Sequence, residues 1–144
     1  MHDVRFDQRL QLTRRKGDMS PGVVQGFHHV QLAMPPGEEA AAEAFYAGVL
    51  GLSRVEKPEA LAGRGGAWFR GPGVELHLGV EEEFRPSRKA HPAFLVKELD
   101  QLEVQLKHAG TEVHRDVDLP GFRRFHAFDP FGNRLEFLQS LDRA

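Results

Sequence analysis

The sequence contains no cysteine, which excludes disulfide bonds, thiolate nucleophiles and cysteine-based zinc sites. It has no apolar run long enough to cross a membrane and no signal-peptide hydrophobic region, so we expect a cytoplasmic protein without a membrane partner. An excess of charge of one sign is also missing, because the formal net charge is only −2. This balance gives no reason to expect a nucleic-acid partner.

What the sequence has in excess is histidine, with eight residues in a chain of 144. A chain of this length is expected to form one domain with a sizeable core. Residues 1–25 are polar and charged with weak periodicity, so we expect an N-terminal extension outside that core. The domain is predicted over residues 26–139, followed by a tail over residues 140–144.

Two parts of the domain repeat the same order of predicted elements: a strand, a helix and three strands. We call residues 26–80 module one and residues 91–139 module two. The elements of module one are predicted as a helix over 38–50 and strands over 26–33, 52–56, 66–70 and 74–80. Those of module two are a helix over 99–109 and strands over 91–96, 112–116, 122–128 and 133–139. The repeat predicts an α+β fold in which two βαβββ modules form curled mixed sheets around a central cavity.

Period-two alternation gives each sheet an apolar face and a polar face. The helices have to cover the apolar face, which takes Val30, Leu32, Val74, Leu76, Leu78, Phe94, Val96, Leu135 and Phe137. The polar face takes His29, Gln31, Glu75, His77, His91, Arg124, His126 and Glu136. Glu136 lies between apolar neighbours and needs a partner, because a buried unpaired charge is costly. Imidazole and carboxylate groups on one face suit a divalent metal, with Zn, Ni, Fe, Mn and Co all open.

These residues resemble the vicinal oxygen chelate superfamily, which includes glyoxalase I, fosfomycin-resistance thiol transferases, extradiol dioxygenases and bleomycin-resistance proteins. The most specific motif is Asp-Pro-Phe-Gly-Asn-Arg-Leu-Glu over residues 129–136. The other resembling segments are residues 27–32, 45–52, 74–78 and 91–94. Pro92 departs from the pattern because proline cannot donate to a strand ladder, which puts the pairing of the fifth strand in question.

The resemblance implies a metal between the two modules, bound by His29, His91 and Glu136. Glu75 matches the fourth ligand of glyoxalase-like members, or it is the catalytic base, in which case we expect burial to raise its pKa. His77 could replace or assist it. His126 matches a residue that contacts the substrate in fosfomycin-resistance proteins, and we place Arg124, Gln31 and His77 with it as substrate-binding residues.

Three functions remain open on these residues. The first is a glyoxalase-like metal-dependent enzyme, of isomerase or lyase type, whose small substrate chelates the metal through neighbouring oxygens. The second is an extradiol-type dioxygenase with Fe(II). The third is a non-catalytic resistance protein that binds a small molecule or antibiotic between aromatic walls such as Phe27 and Trp68. The histidine and glutamate set favours an enzyme. We expect a homodimer, and whether one chain supplies all ligands is left open.

Overall fold

The computed structural model of the protein describes residues 22–142, which form two four-stranded sheets. Module one contains strands β1 (Val30–Met34), β2 (Ser53–Val55), β3 (Ala67–Gly71) and β4 (Val74–Val80), and helix α1 (Glu39–Glu43). Module two contains strands β5 (Ala93–Leu95), β6 (Val113–Arg115), β7 (Phe122–Phe128) and β8 (Arg134–Ser140), and helix α2 (Leu99–His108). Most of the predicted extension, and the last two residues of the predicted tail, lie outside the described residues.

The two sheets have the same topology, with strand orders β1-β4-β3-β2 and β5-β8-β7-β6. The first strand of each module runs parallel to the last strand of that module, and the other pairs are antiparallel. The predicted α+β fold of two βαβββ modules is therefore confirmed. No helix within the described part of the chain is long and apolar enough to span a bilayer.

The first helix differs from its prediction as one continuous α-helix over residues 38–50. After α1 the chain continues as a π-helix (Ala44–Val49), in which the amide of Leu50 donates to the carbonyl oxygen of Phe45 at 2.9 Å. The wider π-helical turn accompanies burial of two adjacent aromatic side chains, Phe45 and Tyr46. A 3₁₀-helix (Glu59–Arg64) between β2 and β3 was not predicted.

Pro92 shortens the fifth strand, which was predicted over residues 91–96 but starts at Ala93. Proline has no amide hydrogen to donate, although its carbonyl oxygen still accepts from the amide of Glu136 at 3.0 Å. His91 therefore precedes the strand and remains next to β8.

One hydrophobic core joins both modules, and it includes residues from the predicted apolar faces, such as Leu76 and Phe137. Two polar contacts cross between the modules inside this core. The hydroxyl of Tyr46 donates to Oδ2 of Asp129 at 2.7 Å, and the side-chain Nδ2 of Asn133 donates to the carbonyl oxygen of Ala33 at 2.8 Å. These contacts fix module one against the turn between β7 and β8.

Candidate metal site

Three side chains of module two bring metal-ligand atoms together on its polar face. The donor atoms of His91, His126 and Glu136 lie within 4.8 Å of one another, the only such group found among residues 22–142. The antiparallel ladder between β7 and β8 pairs His126 directly with Glu136. His91 lies two residues before Ala93, which the parallel ladder pairs with Glu136. Strand alternation therefore turns all three side chains to the same side.

His91 has the hydrogen-bonding pattern of a metal ligand. Its Nδ1 lies 2.7 Å from the carbonyl oxygen of Lys89, and its Nε2 lies 3.0 Å from Oε1 of Glu136. A carbonyl oxygen can only accept, so in the neutral ring Nδ1 carries the hydrogen and Nε2 directs its lone pair at the carboxylate. A lone pair facing a carboxylate oxygen requires a proton or a cation between them. A carbonyl that fixes the far nitrogen commonly supports a ligating histidine, so the residues fit a divalent ion.

His126 supplies a second nitrogen that lacks a partner. The residue is 4% exposed, and its Nε2 is buried without a hydrogen-bond partner, 4.0 Å from Oε1 of Glu136. Burial, followed by the positive charge of Arg134, lowers the pKa of His126 and favours the neutral ring. A buried polar nitrogen without a partner is costly, so this atom is suited to a ligand or an ion that enters the site.

Glu136 is a carboxylate with one oxygen already bound. Its Oε2 accepts from Nη1 of Arg124 at 3.0 Å, and Nε of Arg124 donates to the carbonyl oxygen of Val117 at 2.8 Å. Burial alone would raise the pKa of Glu136, but the hydrogen bond from Arg124 and the contact with Nε2 of His91, which is a hydrogen bond when that ring is protonated, outweigh it and the pKa is lowered. Glu136 therefore stays ionised, with Oε1 turned toward the two histidines.

Module one carries a column of three rings on its polar face instead of converging donor atoms. The rings of Trp68 and His77 are parallel, with centroids 3.8 Å apart. The ring of His29 stacks on His77 with centroids 4.2 Å apart and planes 20° apart. Nε2 of His77 is buried without a hydrogen-bond partner, and burial, followed by the charge of His29, lowers the pKa of His77.

Glu75 lies beside this column and is bound to an arginine. Its Oε1 accepts from Nε of Arg70 at 2.5 Å, and its Oε2 lies 3.5 Å from Nε2 of His77. The hydrogen bond from Arg70 is the main cause of a lowered pKa of Glu75. The expectation that burial raises this pKa is wrong, because the side chain is partly open to solvent and Arg70 stabilises its charged form.

Strand register makes His77 the repeat counterpart of Glu136. Each lies four residues after a turn glycine with positive φ, Gly73 in module one and Gly132 in module two. Each is also paired across the parallel ladder with the second residue after a histidine: His77 with Gln31, two residues after His29, and Glu136 with Ala93, two residues after His91. Glu75, which the sequence predicts as a fourth ligand or base, lies two residues before this position on the same face of β4.

The same register relates the remaining members of the two groups. Trp68 is paired with His77 on the neighbouring strand, as His126 is paired with Glu136. In the same way, the parallel ladders place His29 near His77 and His91 near Glu136, each histidine two residues before the directly paired residue. The ring column and the donor group therefore occupy equivalent places in the two modules.

The structure brings some of the predicted site residues together and keeps others apart. Of the four predicted ligands, His91 and Glu136 are in contact, whereas His29 and Glu75 lie on the polar face of module one. A cavity of about 680 Å³ between the modules is lined by residues that include His29, Gln31, Glu75 and His91. The role of Trp68 in the ring column was missed, although alternation along residues 67–71 could have placed it on the polar face.

A search of curated proteins found no significant match to the chain. Two solved structures of low sequence identity share its fold. A glyoxalase/dioxygenase from Nostoc punctiforme is 24% identical, with a TM-score of 0.70, and the match covers 90% of this chain and all of that one. A variant of the fosfomycin resistance protein FosX from Listeria monocytogenes, solved with Mn(II) and 1S,2S-dihydroxypropylphosphonic acid, is 17% identical. Its TM-score is 0.69, with 82% of this chain and 94% of that chain covered.

A third structure is much more similar in sequence. A protein from Bacillus anthracis assigned to the glyoxalase family is 44% identical, with a TM-score of 0.79, and the match covers 83% of this chain and 98% of that chain. The family model of the Glyoxalase/Bleomycin resistance protein/Dioxygenase superfamily matches residues 10–137. The chain therefore belongs to the Glyoxalase/Bleomycin resistance protein/Dioxygenase superfamily.

Proposed function

We propose that the protein is a metal-dependent enzyme of glyoxalase type that acts on a small substrate with two neighbouring oxygens. The observation that supports this best is the group formed by His91, His126 and Glu136, in which a lone pair and an unpartnered buried nitrogen face one carboxylate oxygen. Apart from binding a cation or a polar ligand, such a group would be a net cost to folding.

His91 and Glu136 are the proposed core of the ligand set, and His29 is the proposed third ligand from the polar face of module one. When bound, a divalent ion (Zn, Ni, Fe, Mn or Co) would supply a Lewis acid for two neighbouring substrate oxygens. The FosX variant that shares this fold was solved with Mn(II) and an oxygen-rich phosphonic acid, which supports this class of ion and of ligand.

Glu75 is the proposed base, because its carboxylate lines the cavity between the modules and can accept a proton from a substrate carbon. The hydrogen bond from Arg70 lowers its pKa, which keeps it ionised but makes it a weaker base than a buried glutamate. Its other predicted role, fourth metal ligand, stays a prediction that the metal content of a Glu75→Gln variant tests. His126 would donate or accept a hydrogen bond at a substrate oxygen. Arg124 and Gln31 remain proposed substrate-binding residues, and direct substrate binding by His77 stays a prediction of the sequence.

A homodimer and a cytoplasmic location remain our expectations. In the described chain β1 and β5 each have one edge without a strand partner. Apolar side chains near these edges are exposed, with Phe27 at 96% and Leu95 at 76%. A second copy would cover these side chains. It could also place the polar face of module one of one copy against the polar face of module two of the other copy. Light scattering on the purified protein tests the assembly, and a monomer at micromolar concentration would contradict it.

One observation favours an extradiol-type dioxygenase as the second candidate. Arg70 binds the carboxylate of Glu75 at 2.5 Å, which leaves two histidines and Glu136 as the ligand set. Two histidines and one carboxylate are the set that suits Fe(II) with open positions for a catechol and oxygen. Iron content together with ring cleavage of a catechol would distinguish this candidate from the glyoxalase type.

The metal content of three proteins tests the proposed function: wild type, His91→Ala, and the matched control His114→Ala. His114 is an exposed histidine on β6, outside the group. After reconstitution with Mn²⁺, Co²⁺ or Zn²⁺ and gel filtration, we expect bound metal in wild type and the control, and loss of metal in His91→Ala. Full metal content in His91→Ala would exclude the ligand assignment. Metal-loaded wild type is then assayed with hemithioacetals, phosphonate epoxides and catechols.

A further inference from the structure

The ring column of module one connects two rings held by the sheet, the half-buried Trp68 and the buried His77, to an exposed ring. Trp68 and His77 are paired directly across β3 and β4, and His77 is 4% exposed. His29 precedes the first residue of β1 and is exposed, so no strand ladder holds its backbone. The restraints on its ring are the stacking contact with His77 and the contact with neighbouring His28, whose Nδ1 lies 2.9 Å from Nδ1 of His29.

We propose that Trp68 and His77 are positioning residues whose stacked rings hold the imidazole of His29 in the orientation that a metal ligand needs. This inference rests on the proposed function, in which His29 is a ligand. A freely rotating imidazole would have to lose its rotamer freedom each time an ion is bound. A ring that is already stacked has lost that freedom beforehand, which is the usual reason why support around a ligand strengthens metal binding.

The geometry of the column favours support by His77 over a direct ligand role. An ion bound by an imidazole nitrogen lies close to the plane of that ring. The planes of His77 and His29 are 20° apart and their centroids 4.2 Å apart, so the two rings lie nearly face to face. Two such rings do not point at one ion. His77 is also covered on its other face by Trp68 at 3.8 Å, which keeps it from turning toward one.

The proposal predicts that the ring of His77, and not its nitrogens, matters to His29. His77→Phe keeps a flat ring between Trp68 and His29, whereas His77→Ala removes it. We expect His77→Ala to weaken Co²⁺ binding by about 10–100-fold, the usual range for residues that support a ligand. His77→Phe should bind Co²⁺ within about threefold of wild type, and Trp68→Phe should weaken binding less than Trp68→Ala. His114→Ala is the matched control.

Two measurements on the full chain test this. Equilibrium dialysis gives the Co²⁺ affinity of each variant. Proton NMR of the metal-free proteins gives the ring resonances of His29, assigned with His29→Gln. In the wild type they should be shifted by ring currents from the column. His77→Ala should move them to the values of an unstructured histidine, and His77→Phe should keep them shifted. Circular dichroism melts show that each variant is folded.

The outcomes separate this proposal from the proposed function. Unshifted His29 resonances in wild type, or His77→Phe binding Co²⁺ as weakly as His77→Ala, would overturn the positioning role. Wild-type binding of Co²⁺ by His77→Ala would overturn it as well. If wild type binds no Co²⁺ at all, the proposed function fails, while the NMR comparison in metal-free protein still decides whether the column orders His29.

Discussion

Module two brings donor atoms together at the three positions where module one stacks rings. His91, His126 and Glu136 direct lone pairs and charge at a common point, with the three donor atoms within 4.8 Å. At the equivalent positions of module one, the rings of His29, His77 and Trp68 are stacked face to face. The backbone that presents the two groups has the same topology and the same strand register.

The difference shows that the fold supplies positions, whereas the side chains decide what the positions do. A carboxylate at the position of Glu136 binds an arginine and lies 3.0 Å from one histidine nitrogen and 4.0 Å from a second. An imidazole at that position, as at His77, offers two flat faces, which an indole and a second imidazole cover. One repeat thus produced a group of converging donor atoms and its partner a stack of rings.

The largest effect that can test this comparison is the loss of the central carboxylate. We expect Glu136→Gln to weaken Co²⁺ or Mn²⁺ binding by more than the roughly 10–100-fold of residues that only support a ligand. The amide keeps the size of the side chain but removes the charge that faces His91 and His126. Titration calorimetry on metal-free protein measures the change.

Glu75→Gln is the matched variant on the other module, because it makes the same chemical change in a carboxylate that is also bound to an arginine. We expect it to keep metal affinity within about tenfold, which is the low end for a supporting residue, and to lose proton-transfer activity. Equal losses of affinity in the two variants would show that Glu75 is a fourth ligand, and the comparison between the modules would then fail.

The next largest effect concerns Asp129, which lies in the turn between β7 and β8 and binds Tyr46 of module one. Asp129 is buried and accepts from the Tyr46 hydroxyl, the Asn133 side-chain and backbone amides and the Phe131 backbone amide. Asp129→Ala leaves these donors without an acceptor, and we expect a loss of about 3 kcal/mol or more in the free energy of unfolding, measured by urea denaturation.

Tyr46→Phe separates the bond between the modules from the rest of this cluster. It removes only the hydroxyl that donates to Asp129 at 2.7 Å, and keeps the aromatic ring in the core. We expect a smaller loss of about 1–2 kcal/mol. A loss as large as that of Asp129→Ala would mean that the contact with module one, and not the turn of module two, dominates the stability of this cluster.

Alternation and turn signals were enough to predict the two faces, because period two assigns each strand residue to a side once the strand is recognised. The same regularity could not tell Glu75 from His77 as the counterpart of Glu136, since residues two apart share a face. Only the ladder register and the turn glycines separate them. The ring column depends on side-chain rotamers as well, and the π-helix depends on packing around Tyr46. Neither is set by local sequence preference.

The smallest effects are expected from ion pairs on the outer surfaces of the modules. Arg54 and Glu43 of module one form an exposed pair at 2.5 Å, and we expect Arg54→Met to change the free energy of unfolding by less than about 0.5 kcal/mol.

Arg115 of module two binds Glu103 and also lies 5.5 Å from the centre of the Phe125 ring. We expect Arg115→Met to cost about 1 kcal/mol, because it loses a cation–π contact together with the ion pair. Urea denaturation at low and high salt measures both changes. Equal, salt-insensitive values for the two variants would show that the ring contact adds nothing, and that the two outer surfaces, unlike the two polar faces, are energetically alike.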